Sequence, residues 1–441
     1  MKKEKSILVI ILIAIVAGCG GRSKQSIDTS GTVDVMANYS EKEPMMQESM
    51  DIEEITLKTM DGVFSQDSAQ NTIILASNDD IITVNVRRNY SQKKELILQD
   101  FMDVEYVVLE TNDEFLNQGI VLDVGKEIIL VKNRINDGDI FVYNRHGQAL
   151  RKINHKGQGS EEYILVATIT LDEDNGEMFI NDPFKRKIIV YDLDGKFKRS
   201  FNHKDSPGTL FYTALFIYDK DNLICYDKYN EEIAFVLISK QNGSITKEIK
   251  IPFKEKILLQ TTFQAGEYSR TVGVTSYPSI IPYNGNWLLL ELSSDTVYAF
   301  LKDFSLSPYI VRTPSLQSMD PEIMLLLRLI SDRYYFMETV RNEYDLNTGT
   351  GFLSNYMMYD KQEKTFSGYV VYNGDYATKK EIYMNALTPV NHEIASWKLI
   401  ESYQLVESYK KGELKDGKLK EIAAKLDEDD NPVIMLVKHK K

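Results

Sequence analysis

Ile140-Phe141-Val142-Tyr143-Asn144-Arg145-His146-Gly147-Gln148-Ala149-Leu150-Arg151-Lys152-Ile153 sets an apolar run, a turn and a second, alternating run side by side. The same arrangement returns 48 residues later as Ile188-Ile189-Val190-Tyr191-Asp192-Leu193-Asp194-Gly195, continuing through Lys196 to Phe201. After a further 48 residues, Val236-Leu237-Ile238 leads into Asn242-Gly243 and then Ile245, Lys247 and Ile249. Each copy reads as a β-hairpin whose glycine supplies a positive φ at the turn. One hairpin cannot bury its own faces, so a repeat of this period implies blades or a solenoid.

The rest of the chain fits a folded, all-β protein. Of its 441 residues 43% are hydrophobic and 27% charged, and 26 tyrosines and 18 phenylalanines outnumber 11 prolines. That composition suits strands that pack aromatic side chains. The net charge of −13 argues against nucleic acid as a partner, since that needs clustered Lys and Arg. Only Cys19 and Cys225 are present; Cys225, in the strand-like run Asn222 to Tyr226, reads as a buried small hydrophobe.

Residues 1–18 begin with Lys2, Lys3 and Lys5, continue apolar from Ile7 to Ala17, and end in small residues, which is the pattern of a secretory leader. Val16-Ala17-Gly18-Cys19 resembles a bacterial lipobox, with cleavage between Gly18 and Cys19 and acylation of Cys19 by palmitate-like chains. Several buried acyl chains give stable attachment to a bilayer. Residues 19–54, polar and Gly- and Ser-containing, read as a flexible tether, and 55–441 as the folded unit.

Six units follow: Gly119 to Asn154, Leu165 to Asn202, Tyr212 to Ile251, Ser279 to Val311, Tyr334 to Tyr372, and one beginning near Ile382. The expected fold is a six-bladed β-propeller of four-stranded antiparallel blades with short helical insertions. The last unit is incomplete, so one of two early strands, Ile81 to Val86 or Val104 to Glu110, is expected to close the ring with the C-terminal strand at Val433 to Val437. Asp320-Pro321-Glu322 predicts a helix from there to about Ile330, with Asp as cap and Pro in the first turn. A second helical stretch is expected over Trp397 to Leu426, broken near Gly412 to Gly417.

This pattern resembles the six-bladed β-propeller lipoproteins of Bacteroides-type bacteria, which have NHL-like repeats. The resemblance rests on the Ile140 hairpin, Gly157-Gln158-Gly159-Ser160-Glu161-Glu162-Tyr163, Val108 to Thr111, Ser294 to Tyr298 and Asp429 to Val433. In that family the second motif usually has proline where this chain has Ser160. The resemblance implies the fold and an envelope address, outer membrane included; it implies no activity.

No chemical motif emerges beside it. His146, His155, His203, His392 and His439 show no metal-ligand spacing, and His146 and His439 read as surface positions. There is no G-x-S-x-G elbow, and Gly157-Gln158-Gly159 precedes a strand rather than a helix. Asp172-Glu173-Asp174-Asn175-Gly176 lacks the ligand spacing of a calcium loop and reads as a solvated turn. No metal or cofactor is therefore expected. Propellers bind ligands where loops converge over the channel. If those are the loops between second and third strands, the candidate ligand residues are Asn133, Arg134, Asp182, Arg186, Tyr229 and Asp295. The expected function is a lipid-anchored, non-enzymatic binding or scaffolding module of the cell envelope for a glycan, peptide or envelope protein. The alternative is a metal-dependent, lactonase-like hydrolase or an NHL-like lyase.

Overall fold

The computed structural model of the protein describes residues 81–440 except 204–211, 266–267 and 275–276. The expected leader, Cys19, the expected tether and residues 55–80 lie outside the described residues.

The described chain opens with β1 (Ile82–Asn85), β2 (Lys93–Ile97), one helical turn α1 (Leu98–Phe101) and β3 (Asp103–Val108). Blade 1 is β4 (Ile120–Val124), β5 (Ile128–Lys132), β6 (Ile140–Asn144) and β7 (Ala149–Ile153); blade 2 is β8 (Thr168–Asp172), β9 (Glu177–Asp182), β10 (Lys187–Asp192) and β11 (Phe197–Asn202). Blade 3 is β12 (Ala214–Ile217), β13 (Asn222–Tyr226), β14 (Phe235–Ser239) and β15 (Ile245–Ile249). A hairpin of β16 (Gln260–Ala265) and β17 (Tyr268–Gly273) then precedes blade 4, which is β18 (Ile280–Tyr283), β19 (Asn286–Leu289), β20 (Thr296–Phe300) and β21 (Leu306–Thr313). Blade 5 is β22 (Ile323–Ile330), β23 (Tyr334–Arg341), β26 (Ser354–Asp360) and β27 (Thr365–Tyr372), interrupted by a small ribbon of β24 (Tyr344–Asp345) and β25 (Thr350–Gly351). Blade 6 uses β28 (Ile394–Ile400) and β29 (Val433–Lys438), with α2 (Ser402–Lys410) and α3 (Lys418–Ala423) between them. The protein is thus a six-bladed β-propeller of antiparallel blades.

The recurring hairpin holds neighbouring blades together. Its turn glycine is left-handed in blades 1 to 3, with φ of 81° at Gly147, 87° at Gly195 and 73° at Gly243. Each lies against the end of the preceding blade's outer strand: Gly147 against Val108, Gly195 against Ile153, Gly243 against Phe201. At Gly147 a Cβ would stand 1.9 Å from the Val108 carbonyl oxygen, closer than any side chain can sit. The corresponding turns of blades 4 and 5 put Phe304 (φ 66°) and Lys364 (φ 52°) in the same left-handed conformation, which costs a non-glycine residue about 1–2 kcal/mol.

The N-terminal strands lace three successive blades. β1 adds in parallel to the outer strand of blade 4, pairing Ile82 with Ile310; β2 adds in parallel to that of blade 5, pairing Lys93 with Gly368. β3 then pairs antiparallel with β29, Val108 opposite Val433, and closes the ring. The closing strand is therefore Asp103–Val108, and Ile82–Asn85 serves as an outer fifth strand. β28 is the second strand of its blade, because it runs opposite to β4: Asn391, just before it, donates to the carbonyl of Val124 at the end of β4, whereas Leu399 near its end faces Gly119. The innermost position is filled by the irregular segment through Leu387 and Val390, where Ser396 Oγ donates to the Thr388 carbonyl at 3.0 Å.

Two helical expectations need correction. The segment after Pro321 is β22, the inner strand of blade 5, not a helix. Met324 to Ile330 is buried at every position, so the apolar run Met324 to Leu327 reflects burial on both strand faces, with Arg328 further on held by Glu338 at 2.6 Å, and packing overrides the local cap signal. The second helical stretch starts at Ser402, not Trp397, which lies in β28; the break between α2 and α3 falls at residues 411–417. The helices bury Leu405, Leu419 and Ile422 against Val433, while Lys410, Lys411 and Lys420 pair with Glu428, Glu407 and Asp416 on their outer side.

Cys225 lies fully buried in β13, and burial pushes its thiol well above the ordinary range. A chain of residues 25–441, with Cys225 as its one thiol, is expected to resist maleimide while folded and to take up one equivalent on unfolding in urea, read by intact mass. Equally fast labelling of the folded protein would contradict this packing.

Candidate functional site

The two faces of the propeller differ in chemistry. Turns joining first to second strands and third to fourth strands share one face, shown by Arg145 N–H donating to the Glu127 carbonyl and Lys240 N–H to that of Asp221. The loops joining second to third strands lie on the opposite, loop face, together with those linking successive blades. All six predicted ligand residues sit on loops of this face or at their edges, as the alternation of strand direction requires.

Most of them are used to build the loops. Asp182 is fully buried and accepts from the N–H groups of Ile164 (2.6 Å), Phe184 (2.9 Å) and Lys185 (3.1 Å). Asp295 accepts from Leu316 N–H at 2.7 Å and Ser315 Oγ at 2.6 Å, with buried Arg312 Nε 3.8 Å away. Asn133 bonds Asp137 at 2.6 Å and receives the Gln118 N–H at 3.0 Å. Arg134 pairs with Glu401 of blade 6 at 2.9 Å. Arg186 is exposed, and Tyr229 is partly buried with Lys228 Nζ at 4.8 Å from its ring centre.

Beside Tyr229 lies a network that sequence spacing did not reveal. Glu291, wholly buried at the end of β19, receives Lys256 Nζ at 2.9 Å, the Ser293 N–H at 3.1 Å and the Tyr226 hydroxyl at 3.3 Å. Tyr226 in turn lies 3.2 Å from the hydroxyl of Tyr277, which is partly exposed. With Tyr226 donating to the carboxylate, Tyr277 donates to Tyr226 and keeps its lone pairs for an incoming donor. Lys256 also lies over the rings of Tyr226 (5.7 Å) and Phe253 (5.3 Å). Burial drives both phenols upward, with Glu291 adding to each and Tyr229 adding to Tyr277. Both therefore stay protonated at neutral pH and act as hydrogen-bonding groups, not nucleophiles. These residues come from four separated segments, so only the fold assembles them.

The chain belongs to the DUF4934 family. The model of this domain of unknown function matches residues 81–438, which spans every blade. No curated protein sequence matches it. Among solved structures, a candidate exported protein from Bacteroides fragilis is similar over 84% of this chain and 100% of its own, at 16% identity and a TM-score of 0.50, a likeness of fold alone. A member of the DUF4221 family from Bacteroides vulgatus aligns over 61% of this chain and 86% of its own, at 10% identity and a TM-score of 0.39.

In this DUF4934 protein other polar groups near the channel hold the ring together. Asp123 on β4 accepts from Leu171 N–H of the next inner strand at 2.7 Å, and Thr170 Oγ1 donates to the Leu215 carbonyl at 2.9 Å. Asp172 to Gly176 is a turn, as expected, solvated at Asp174 and Asn175 but not at its start: Asp172 is buried against Lys240, and the Glu173 carboxylate accepts the N–H groups of Lys126 (2.5 Å) and Ile128 (2.9 Å) from blade 1. Of the histidines, His146 is exposed, while His439 is partly buried and packs 6.0 Å from Tyr283. A groove of about 350 Å³ between α3 and the end of β3, lined by Glu110, Lys418, Glu421 and Lys425, lies on the outer rim away from the channel. Among the described residues no group of three or more His, Cys, Asp or Glu side chains is gathered around a point that could hold a metal ion.

Burial raises the Asp123 carboxyl to about 7 despite its two backbone hydrogen bonds, which oppose the shift. Its folded value thus lies above the ordinary one. The stability this group contributes is complete below about pH 4 and is lost as pH rises through 7, on the order of 1–3 kcal/mol. Asp123→Asn should flatten the dependence of the melting temperature on pH between 5 and 8; an unchanged slope would refute the assignment.

Proposed function

We propose that the protein is a lipid-anchored, non-enzymatic binding module of the cell envelope that receives its ligand on the loop face, beside Tyr277 and Tyr229. The observation that carries this reading is the relay from Lys256 and Glu291 through Tyr226 to Tyr277, which links a buried ion pair by hydroxyl groups to a residue partly exposed on the loop face. Such groups suit a neutral, hydroxyl- or amide-bearing ligand such as a glycan or peptide. Exposed Phe184 and Arg186 on the neighbouring loop supply apolar and cationic contacts. The leader ending at Gly18-Cys19 supports acylation of Cys19 and attachment to the membrane.

Residues 25–441 screened by thermal shift against glycans, peptides and divalent metals test the binding reading. A ligand at 100 times its Kd stabilises by about 2.7 kcal/mol. The shift should fall in Tyr229→Ala and in Tyr277→Phe. A ligand whose shift survives both binds elsewhere, and saturation by one equivalent of a metal would favour the hydrolase alternative. For the anchor, Cys19→Ser in the full chain should move the protein from the membrane pellet to the soluble fraction.

A further inference from the structure

We infer that the opposite face carries a second binding site, a carbohydrate subsite formed by Phe304, Tyr218, Trp287 and His392 at the end of the channel. The starting point is Phe304. It occupies the turn position that is glycine in blades 1 to 3, at a φ of 66° that a side chain adopts only under constraint, and it is 40% exposed. Its ring stacks on Tyr218 at 5.9 Å and 29°, and Lys247 Nζ lies 5.1 Å from its centre. A large aromatic is thus kept where the backbone favours glycine, with much of its surface in water.

The aromatic surface continues into the channel mouth. Trp287 lies 6.2 Å from Tyr218 and 5.8 Å from Phe216. His392, from the turn before β28, meets Trp287 edge-on at 4.8 Å, and His439 reaches Tyr283 at 6.0 Å. Blades 4 and 6 are not neighbours, so these contacts span the end of the channel. Lys302, in the same turn as Phe304, and Asp332, in the turn of blade 5, are exposed around it.

Aromatic faces bordered by His, Lys and Asp match a pyranose, whose axial C–H groups pack on rings while its hydroxyls bond polar neighbours. A membrane contact would need protruding apolar side chains, whereas Trp287 is nearly buried and the rim is charged.

The test uses intrinsic fluorescence. The chain has two tryptophans, so in a Trp397→Phe background of residues 25–441 emission reports Trp287. Cellohexaose, laminarihexaose, xylohexaose and oligogalacturonate are the probes, with phosphatidylethanolamine–phosphatidylglycerol vesicles in a parallel arm. The expected result is a saturable change with at least one oligosaccharide, weakened about tenfold or more by Phe304→Gly. That variant should keep or raise the melting temperature, since glycine suits the turn. Tyr277→Phe should leave this signal unchanged, which separates the site from the loop face. The proposal is overturned if all four sugars give no saturable change, if the change survives Phe304→Gly, or if only vesicles shift the emission.

Discussion

Gly147→Ala is expected to destabilise the protein by about 3 kcal/mol or more, whereas Gly176→Ala should cost only about 1 kcal/mol. Both glycines are left-handed, with φ of 81° and 63°. They differ in surroundings. Nothing lies within 4 Å of a Cβ added at Gly176, while at Gly147 the new atom would stand 1.9 Å from the Val108 oxygen and 2.8 Å from its carbonyl carbon. Val108 ends β3, the strand that closes the ring, and the adjacent Glu110 N–H donates to the Gly147 carbonyl at 2.7 Å. A displaced turn therefore opens the seam between blades 6 and 1. Gly243→Ala should fall between the two, since its nearest neighbour is the Phe201 ring at 2.3 Å, a side chain that can turn away. Urea unfolding of the three variants measures the order. If Gly147→Ala and Gly176→Ala cost the same, the seam does not depend on the turn.

Lys240→Met is expected to cost about 3–5 kcal/mol, and adding Asp172→Asn should recover most of it. Lys240 is 2% exposed; its ammonium lies 2.7 Å from Asp172 Oδ2 and donates to the Asp219 carbonyl at 2.6 Å. This pair fastens blade 3 to blade 2. Removing the cation alone strands a buried carboxylate, and the cost comes from that unpaired charge more than from the lost attraction. In the double variant the amide keeps an acceptor for the Asn175 N–H without a charge. Additive costs in the double-mutant cycle would show that the two groups are uncoupled.

Much of the architecture was legible because it is written in local chemistry. Asn144 and Gly147, with their echoes at Asp192 and Gly195 and at Asn242 and Gly243, specify turns within a few residues, and repetition fixes blade phase. Inner strands were harder. Met324 to Leu327 is apolar throughout, a pattern that strand and helix share, so the nearby Asp320-Pro321 signal pointed the wrong way. On the loop face, Asp182 and Asp295 had the composition of ligand residues but accept backbone N–H groups of the segments that link successive blades.

The sequence by itself determined the hairpin, its period, the six blades and the closure of the ring from both ends of the chain, since turn residues and alternating burial act over short distances. Only the tertiary structure decided that β1 and β2 line the rims of blades 4 and 5 while β3 closes the ring, because each is a short strand whose local pattern does not specify which edge it meets. It alone also brought Lys256, Glu291, Tyr226 and Tyr277 together, and set Trp287 against His392 across the channel. Those contacts join segments tens to more than a hundred residues apart, and no local propensity encodes the distance between them.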